Sequence, residues 1–195
     1  MKKMKMFVLL MFALSMVNVF AAAEKMSAEE FNKLKKDGKL ESVAKNPSFE
    51  KYRKGYSIWK PKGSKAIAET VGGEFASDGL KSLKISNSDK GISVFQAILV
   101  EPGEKYIITV NAIKQGEGQA KLSVRFKNAK GKWFYNGHPS AKSFLVEQKG
   151  SDWSRIIQVI TVPKKAGRMI VMLGAKGQKE NDFVCFDEFG IFKIK

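Results

Sequence analysis

Residues 132–139, with the sequence KWFYNGHP, concentrate aromatic, amide and imidazole side chains in one short stretch of the chain. Trp133 and Tyr135 point to the same side if the segment is extended, because alternate residues of a strand share a face. Their flat rings can stack on an apolar ring of a ligand, and Asn136 and His138 can form hydrogen bonds at its edge. We interpret this stretch as a candidate ligand platform.

His138 is the only histidine in the sequence, which limits the catalytic chemistry available. A zinc site built on two histidines is excluded, and no serine lies in the Gly-x-Ser-x-Gly elbow typical of serine hydrolases. Glycoside hydrolysis needs two carboxyl groups at a controlled separation, but the candidates Asp182, Asp187 and Glu188 crowd into the predicted last strand. We therefore expect a protein that is not an enzyme.

The chain is strongly basic. Its 195 residues include 35 Lys and Arg against 19 Asp and Glu, which gives a formal net charge of +16. Such a balance favours acidic partners. The basic residues are spread singly along the chain rather than in dense runs, which favours a generally basic surface over a nucleic-acid-binding site. We expect no nucleic-acid partner.

The first 23 residues have the three parts of a secretory signal peptide. Lys2, Lys3 and Lys5 precede an apolar stretch at residues 7–17, and small residues follow at 21–23. This pattern predicts a secreted, periplasmic or cell-envelope protein with no stable membrane insertion after cleavage. A retained anchor is the alternative, although the apolar stretch is short for a membrane span.

Cys185 is the only cysteine, which rules out an intramolecular disulfide. It lies in the apolar run DFVCF, and we expect it to be a buried and inert thiol. Forces other than disulfide bonds must therefore stabilise this domain.

A short helix is predicted after the signal peptide. Ser27 and Glu30 have the spacing of a capping box, in which each side chain accepts a backbone N–H at the start of a helix. Apolar residues then recur at helical spacing from Phe31 onward. We interpret residues 24–45 as a short helical leader that precedes a domain at residues 46–195.

From residue 46 the hydrophobic period changes from helical to alternating. Residues 106–112 and 122–126 place an apolar side chain at every second position, as in strands with one buried face. Turn signals at 101–104 (EPGE) and 128–131 (NAKG) separate such runs and indicate hairpins. With no helical pattern between them, the runs predict an all-β, largely antiparallel sandwich or barrel. Further strands are predicted at residues 82–85, 94–100, 156–162, 169–173 and 183–192.

Short motifs follow one another in a characteristic order along residues 46–192. They are NPSFE at 46–50, Trp59, DGLKSLKI at 78–85, VFQ at 94–96, VEPGEKY at 100–106, DWSR at 152–155, VP at 162–163 and FDEF at 186–189. In this order they resemble the carbohydrate-binding modules of the family four, nine and twenty-two type. The resemblance implies a jelly-roll sandwich that takes up a glycan on its concave sheet or at an aromatic loop edge. It also implies a core position for Trp153 and favours a structural role for Trp59.

Many members of that family hold a structural calcium ion between the start of the module and its last strand. The resemblance places Glu50 and Asp187 at the acidic positions of this site, with carbonyl groups near Ser48 and Lys81 as further ligands. Calcium prefers several carboxylate and carbonyl oxygens, so the chemistry is reasonable. The alternative is that Glu50 and Asp187 are ordinary acids of a turn or strand edge.

Two further polar side chains are candidates for lining a groove on the sandwich. Arg125 belongs to the polar face of its predicted strand, and Gln96 lies on another strand of the same sandwich. A solvated strand face is the alternative for both. Phe134 is expected to point into the core. The proline after His138 keeps that residue extended, and we expect His138 to be a hydrogen-bonding loop residue or a ligand contact.

These features predict a secreted, non-catalytic and monomeric protein that binds a polysaccharide or oligosaccharide. The positive charge makes acidic glycans, such as uronate-containing or sulfated chains, the first ones to test. The alternative is a structural or adhesion protein of the cell envelope, in which the same sandwich contacts protein or surface polymer and binds no sugar.

Overall fold

The computed structural model describes residues 23–51, 55–134, 138–147 and 152–195. The predicted signal peptide lies outside the described residues except for Ala23. Within the described chain, the structure has one α-helix and twelve β-strands. In chain order they are β1 (Ala23–Lys25), α1 (Ala28–Lys36), β2 (Leu40–Ser42), β3 (Ser57–Trp59), β4 (Ile67–Gly72), β5 (Lys81–Ser86), β6 (Ile92–Leu99), β7 (Lys105–Gln115), β8 (Gln119–Asn128), β9 (Lys142–Leu145), β10 (Ser154–Thr161), β11 (Ala166–Lys176) and β12 (Phe183–Ile194).

The strands form two sheets. The larger sheet has the order β1-β10-β7-β12-β5-β4, with β2 paired to the end of β12, and the smaller sheet has the order β3-β6-β11-β8-β9. All the strand pairings in the described chain are antiparallel. The predicted all-β antiparallel sandwich is therefore confirmed.

Alternating side chains from both sheets build the main core. In β7, Tyr106, Ile108 and Val110 are buried in it, and in β8, Leu122 and Val124 pack from the opposite sheet. The alternation predicted for β8 is confirmed, whereas β7 is buried on both faces, with Ile107 on the outer face covered by α1. The apolar side chains of the two inner faces fill the space between the sheets, and their removal from water is the main favourable term in folding.

The helix α1 begins at the predicted capping box. The Ser27 Oγ accepts the backbone N–H of Glu30 at 3.1 Å, and the Glu30 carboxylate accepts the backbone N–H of Ser27 at 3.0 Å. These two bonds satisfy N–H groups that have no partner within the helix. Nine residues long, α1 is too short to span a membrane, and the described chain contains no other helix that is long and apolar enough to do so.

The segment that contains α1 packs on the larger sheet. Phe31 of α1 packs on Ile107 and Ile157, on the outer face of the larger sheet, and its ring centroid lies 5.2 Å from that of Phe192. On either side of the helix, β1 pairs with β10 and β2 pairs with β12. These contacts join residues 23–45 to the larger sheet, and the predicted domain boundary between residues 45 and 46 stays a prediction.

Cys185 is fully buried, opposite Lys84 of the neighbouring strand β5. Burial raises the pKa of its thiol to about 12. Because the thiolate is the reactive form, a thiol with such a pKa is inert at neutral pH. The prediction of a buried cysteine is confirmed.

The packing of α1 predicts a large loss of stability for Phe31→Ala. Removing the ring leaves a cavity between the helix and the larger sheet, so we expect the free energy of unfolding to fall by about 3 kcal/mol. Chemical denaturation followed by circular dichroism measures this change. Lys35→Ala, an exposed substitution on the same helix, is the control and should change the free energy of unfolding little. An unchanged stability for Phe31→Ala would show that residues 23–45 are a loosely attached leader after all.

Candidate functional site

The outer face of the smaller sheet carries a groove with a volume of about 760 Å³. Alternation in β6, β11 and β8 creates it, because Val94, Val171 and Val124 point into the core while their neighbours point outward. Aromatic, apolar and basic side chains share the lining. Its residues are Trp59, Ser93, Phe95, Ala97, Arg125, Lys127, Trp133, Phe134, Arg168, Ile170 and Met172.

The floor of the groove is apolar. Phe95 and Ala97 of β6 lie directly opposite Met172 and Ile170 of β11 in the register of the two strands. Ile170 is almost entirely covered, with 3% of its surface exposed. Such a floor favours contact with the apolar parts of a ligand over contact with fully hydrated groups.

Trp59 lies at one corner of the groove, on the edge strand β3. It is opposite Ser93 of β6, and 59% of its surface is exposed. The structural role that the sequence favoured for Trp59 is therefore wrong, because the indole points outward from the sheet. An exposed indole in this position can stack on a flat face of a ligand.

Trp133 lies at the opposite corner, where it forms an isolated β-bridge with Lys127 of β8. Its ring centroid is 4.8 Å from the Arg125 guanidinium carbon and 4.4 Å from the Lys127 ammonium nitrogen. These cation–π contacts hold the indole in place while 46% of its surface stays exposed. Trp133 is thus a second exposed ring, placed beside positive charge.

The separation of the two tryptophans follows from the strand register. Lys121 of β8 lies in the same cross-strand row as Trp59, through Ser93 and Gly174. Lys127, the bridge partner of Trp133, is farther along β8, so at about 3.4 Å per residue the two corners are roughly 20 Å apart in the strand direction. The groove is therefore long enough for a linear ligand of several rings.

The structure places two of the six predicted ligand-binding residues in the groove. These are Arg125 and Trp133. Tyr135 and Asn136 lie outside the described residues, so the predicted pairing of Trp133 with Tyr135 stays a prediction.

His138 packs beside the groove and is not part of its described lining. Its Nδ1 accepts the backbone N–H of Ser140 at 3.2 Å and lies 2.7 Å from the Ser140 Oγ. The imidazole centroid is 4.7 Å from that of Phe134, which packs against the core and Phe126 as expected. The structure therefore favours the interpretation of His138 as a hydrogen-bonding loop residue.

The prediction that Gln96 lines the groove is wrong. Gln96 is 4% exposed and lies on the inner face of β6, so that Phe95 and Ala97 point into the groove instead. Its carboxamide accepts the backbone N–H of Lys45 at 2.9 Å and donates to the Lys45 carbonyl at 2.5 Å. Gln96 thereby fixes the segment that leads from β2 into the sandwich, in the way that a neighbouring strand would.

Lys127 and Arg168 are groove residues that the sequence did not reveal. They lie directly opposite each other on β8 and β11. Lys127 is two residues after Arg125 and therefore shares its face of β8, so the alternation in the sequence could have revealed it. Arg168 lies just before the strand predicted at residues 169–173. Its position opposite Lys127 could not be predicted, because the pairing of β11 with β8 is irregular between Ala166 and Arg168.

The residues predicted to hold calcium lie around the turn at residues 77–81. Glu50 Oε1 accepts the backbone N–H groups of Leu80 and Lys81 at 2.8 and 3.0 Å. Gly79 fits this turn because its φ is +65° and because a Cβ there would lie 2.5 Å from the Glu50 Oε1. The Glu50 carboxylate thus already serves as the acceptor for the turn.

Asp187 binds the other half of the same turn. Its Oδ2 accepts the backbone N–H groups of Ser77 and Asp78 at 2.8 and 2.9 Å, and its Oδ1 accepts that of Glu188 at 2.8 Å. Burial raises the pKa of the Asp187 carboxyl, although hydrogen bonds from Asp78, Glu188 and Ser77 act in the opposite direction. Both oxygens are therefore engaged with backbone donors.

In this arrangement the Glu50 and Asp187 carboxylates bind the turn, and the calcium site stays a prediction. A calcium ion there would share the Glu50 Oε1 and the two Asp187 oxygens with these backbone N–H donors. The Lys81 ammonium lies 3.5 Å from the Glu50 carbonyl oxygen, and the Ser48 hydroxyl donates to the Asp78 carboxylate at 3.4 Å. In the described part of the chain, no three or more His, Cys, Asp or Glu residues are grouped so that they could hold a metal ion. The geometry favours the alternative, in which Glu50 and Asp187 are acids that stabilise a turn.

The sequence of this chain is similar to that of a known protein family. The sequence matches the carbohydrate binding domain family over residues 41–177. A search of curated proteins found no match to the chain.

Solved structures share the fold at low sequence identity. The carbohydrate-binding module TmCBM61, solved with β-1,4-galactotriose, is 18% identical with a TM-score of 0.59, over 78% of this chain and 99% of that one. A cyclase from Fischerella sp. TAU is 13% identical with a TM-score of 0.60, over 79% of this chain and 97% of that one. The enzymatically active domain of bacteriophage CBA120 tailspike protein 4 is 14% identical with a TM-score of 0.65, over 78% of this chain but only 21% of that one. These similarities confirm the predicted jelly-roll fold.

The position of Gln96 predicts a loss of stability for Gln96→Leu. The substitution leaves the Lys45 N–H and carbonyl without their partners, so we expect the free energy of unfolding to fall by about 2 kcal/mol. Urea denaturation measures this change. The same substitution at Gln115, which is exposed at the end of β7, is the matched control and should have little effect. Equal stabilities for the two variants would contradict the assigned role of Gln96.

The geometry around Glu50 and Asp187 predicts that calcium does not stabilise the fold. A ligand that binds only the folded state raises the melting temperature. Because the carboxylate oxygens already accept backbone N–H groups, we expect the same melting temperature in calcium and in a chelator. A calcium-dependent rise that disappears in Asp187→Asn would restore the site that the sequence predicted.

Proposed function

The chain belongs to the carbohydrate binding domain family, and we propose that it binds a carbohydrate chain in the groove of its smaller sheet. One observation carries the proposal: an apolar floor runs between two exposed tryptophans. A protein of similar fold, TmCBM61, was solved with β-1,4-galactotriose. The proposal therefore combines carbohydrate binding, the property that names the family, with a groove in this chain whose lining is aromatic, apolar and basic.

The aromatic corners suit the apolar faces of sugar rings. A pyranose presents C–H groups on one or both faces, and these pack on the flat indoles of Trp59 and Trp133. Phe95 and Met172 on the floor extend the apolar contact between the corners. We propose that the chain of sugars lies diagonally across the sheet from one indole to the other.

Polar groups fix the orientation of the sugar hydroxyls. The guanidinium of Arg125 has several N–H donors in a planar arrangement and lines the groove beside Trp133. In the adjoining loop, Tyr135 and Asn136 keep their predicted roles as a stacking ring and a polar contact. Arg125 thus supplies a polar group at the Trp133 corner.

We further propose that the protein does not catalyse a reaction on its ligand. The described lining of the groove contains no Asp or Glu, so it offers no pair of carboxyl groups for glycoside hydrolysis. Asp182 is occupied elsewhere, where it accepts the backbone N–H groups of Gly118 and Lys179. Release of reducing sugar from a bound glycan would contradict this part of the proposal.

Export is part of the same proposal. The predicted signal peptide at residues 1–23 would carry the protein to a compartment in which polysaccharides are found. Fractionation of cells that express the full chain, with mass determination of the mature protein, tests this expectation.

The two tryptophans should carry much of the binding energy. We expect Trp59→Ala and Trp133→Ala each to weaken binding to a retained polysaccharide by about tenfold or more, since buried aromatic anchors are the usual energetic centres of a binding site. Affinity electrophoresis in gels that contain neutral or acidic polysaccharides measures the retention.

Leu80→Ala is the control for these variants. Leu80 is 76% exposed and lies in the turn at residues 77–81, away from the groove. Its substitution should leave retention unchanged. Full retention of the double tryptophan variant would exclude the groove as the binding site, and no retention of the wild-type chain on any glycan would favour the adhesion alternative.

A further inference from the structure

We propose that the groove selects an anionic glycan, a sugar chain that carries carboxylate or sulfate groups. This inference rests on the proposed function and names the class of ligand that the groove takes. It concerns the distribution of charge within the groove, which the net charge of the chain does not determine.

Three cationic side chains are gathered at one end of the groove. Lys127 and Arg168 lie directly opposite each other on neighbouring strands. Arg125 is two residues before Lys127 in β8, on the same face and opposite Ile170. The Trp133 ring lies against Arg125 and Lys127. The stacking surface at this corner is therefore surrounded by positive charge.

The described lining supplies no negative charge to balance Lys127 and Arg168. None of its described residues is Asp or Glu. The ion pairs found among the described residues join Lys179 to Glu117 and Lys193 to Glu104, and both lie outside the groove. Within the described chain, Lys127 and Arg168 thus have no carboxylate salt-bridge partner.

The pairing of Lys127 with Arg168 is unfavourable for the fold alone. Like charges directly opposite each other on antiparallel strands repel and destabilise the sheet. An anionic group bound between them removes this repulsion and adds charge-assisted hydrogen bonds. The energetic gain on binding is then larger for a charged sugar than for a neutral one.

The other end of the groove has a different character. Trp59, Phe95 and Met172 offer an indole and an apolar floor there. A ligand that matches the whole groove must combine flat apolar ring faces with negative charge placed toward the Trp133 corner. A sugar chain with acidic substituents has both properties, and a simple polyanion without rings has only the second.

Matched pairs of probes separate charge from sugar structure. Oligogalacturonate carries free carboxylates, and its methyl ester has the same backbone without their charge. Dextran sulfate carries sulfate groups, and dextran has the same backbone without them. Isothermal titration calorimetry of the full chain measures the affinity for each probe at low and at high salt. We expect at least one charged probe to bind about tenfold more tightly than its neutral partner, with the difference shrinking as salt screens the charges.

The double variant Lys127→Gln with Arg168→Gln tests whether the groove produces this preference. We expect it to lose about tenfold in affinity for the charged probe and clearly less for the neutral one, which is affected only through the Lys127 contact with the Trp133 ring. Lys35→Gln with Lys36→Gln removes the same net charge from α1, which covers the outer face of the larger sheet, and should leave the preference intact.

Several results would overturn the inference. Equal affinities for the neutral and charged members of each pair, with both weakened by Trp59→Ala, would leave the proposed function standing and exclude the anionic class. Charged probes that respond equally to the groove and the α1 variants would indicate nonspecific charge. Tighter binding of inorganic polyphosphate or single-stranded DNA than of every sugar probe would assign the groove to another class of ligand. Failure of every probe to bind would overturn the proposed function together with the inference.

Discussion

The packing of the two sheets through every second side chain is the interaction on which the rest of this structure depends. Strand β11 shows it most clearly, because it is hydrogen-bonded on both sides, to β6 and β8. Its residues Met169 and Val171 are buried in the core, so Ile170 and Met172 must face the other side. A slip of one residue in this register would exchange the two sets. The same register therefore fixes both the core and the groove.

The two sheets differ in what covers their outer faces. On the larger sheet, α1 buries an apolar cluster centred on Phe31, and the short strands β1 and β2 hold the helix segment in place. On the smaller sheet, the described residues leave the outer face open as a groove with exposed tryptophans at two corners. The surface that we propose for carbohydrate binding thus lies on one side of the sandwich, opposite the side that α1 covers.

The sequence predicts the long strands well and the short ones poorly. Strand β8 has one apolar and one polar face, so its alternation reveals both the strand and its inner side. Strand β3 has only three residues and no alternation to detect, which is why the outward direction of Trp59 could not be predicted. Strand β6 is apolar on both faces, so its pattern does not tell which side is buried. For that reason the sequence pattern does not distinguish Gln96, which faces the core, from Phe95, which faces the groove.

The central claim is that a carbohydrate binds on the outer face of the smaller sheet. Amide chemical-shift mapping with an oligosaccharide prepared from a retained polysaccharide tests it most directly, because it reports the contacted surface without changing the chain. The account predicts that the shifts concentrate in residues 57–59, 93–97, 125–134 and 168–172. Shifts concentrated on α1 and the outer face of the larger sheet, with the groove unaffected, would contradict it.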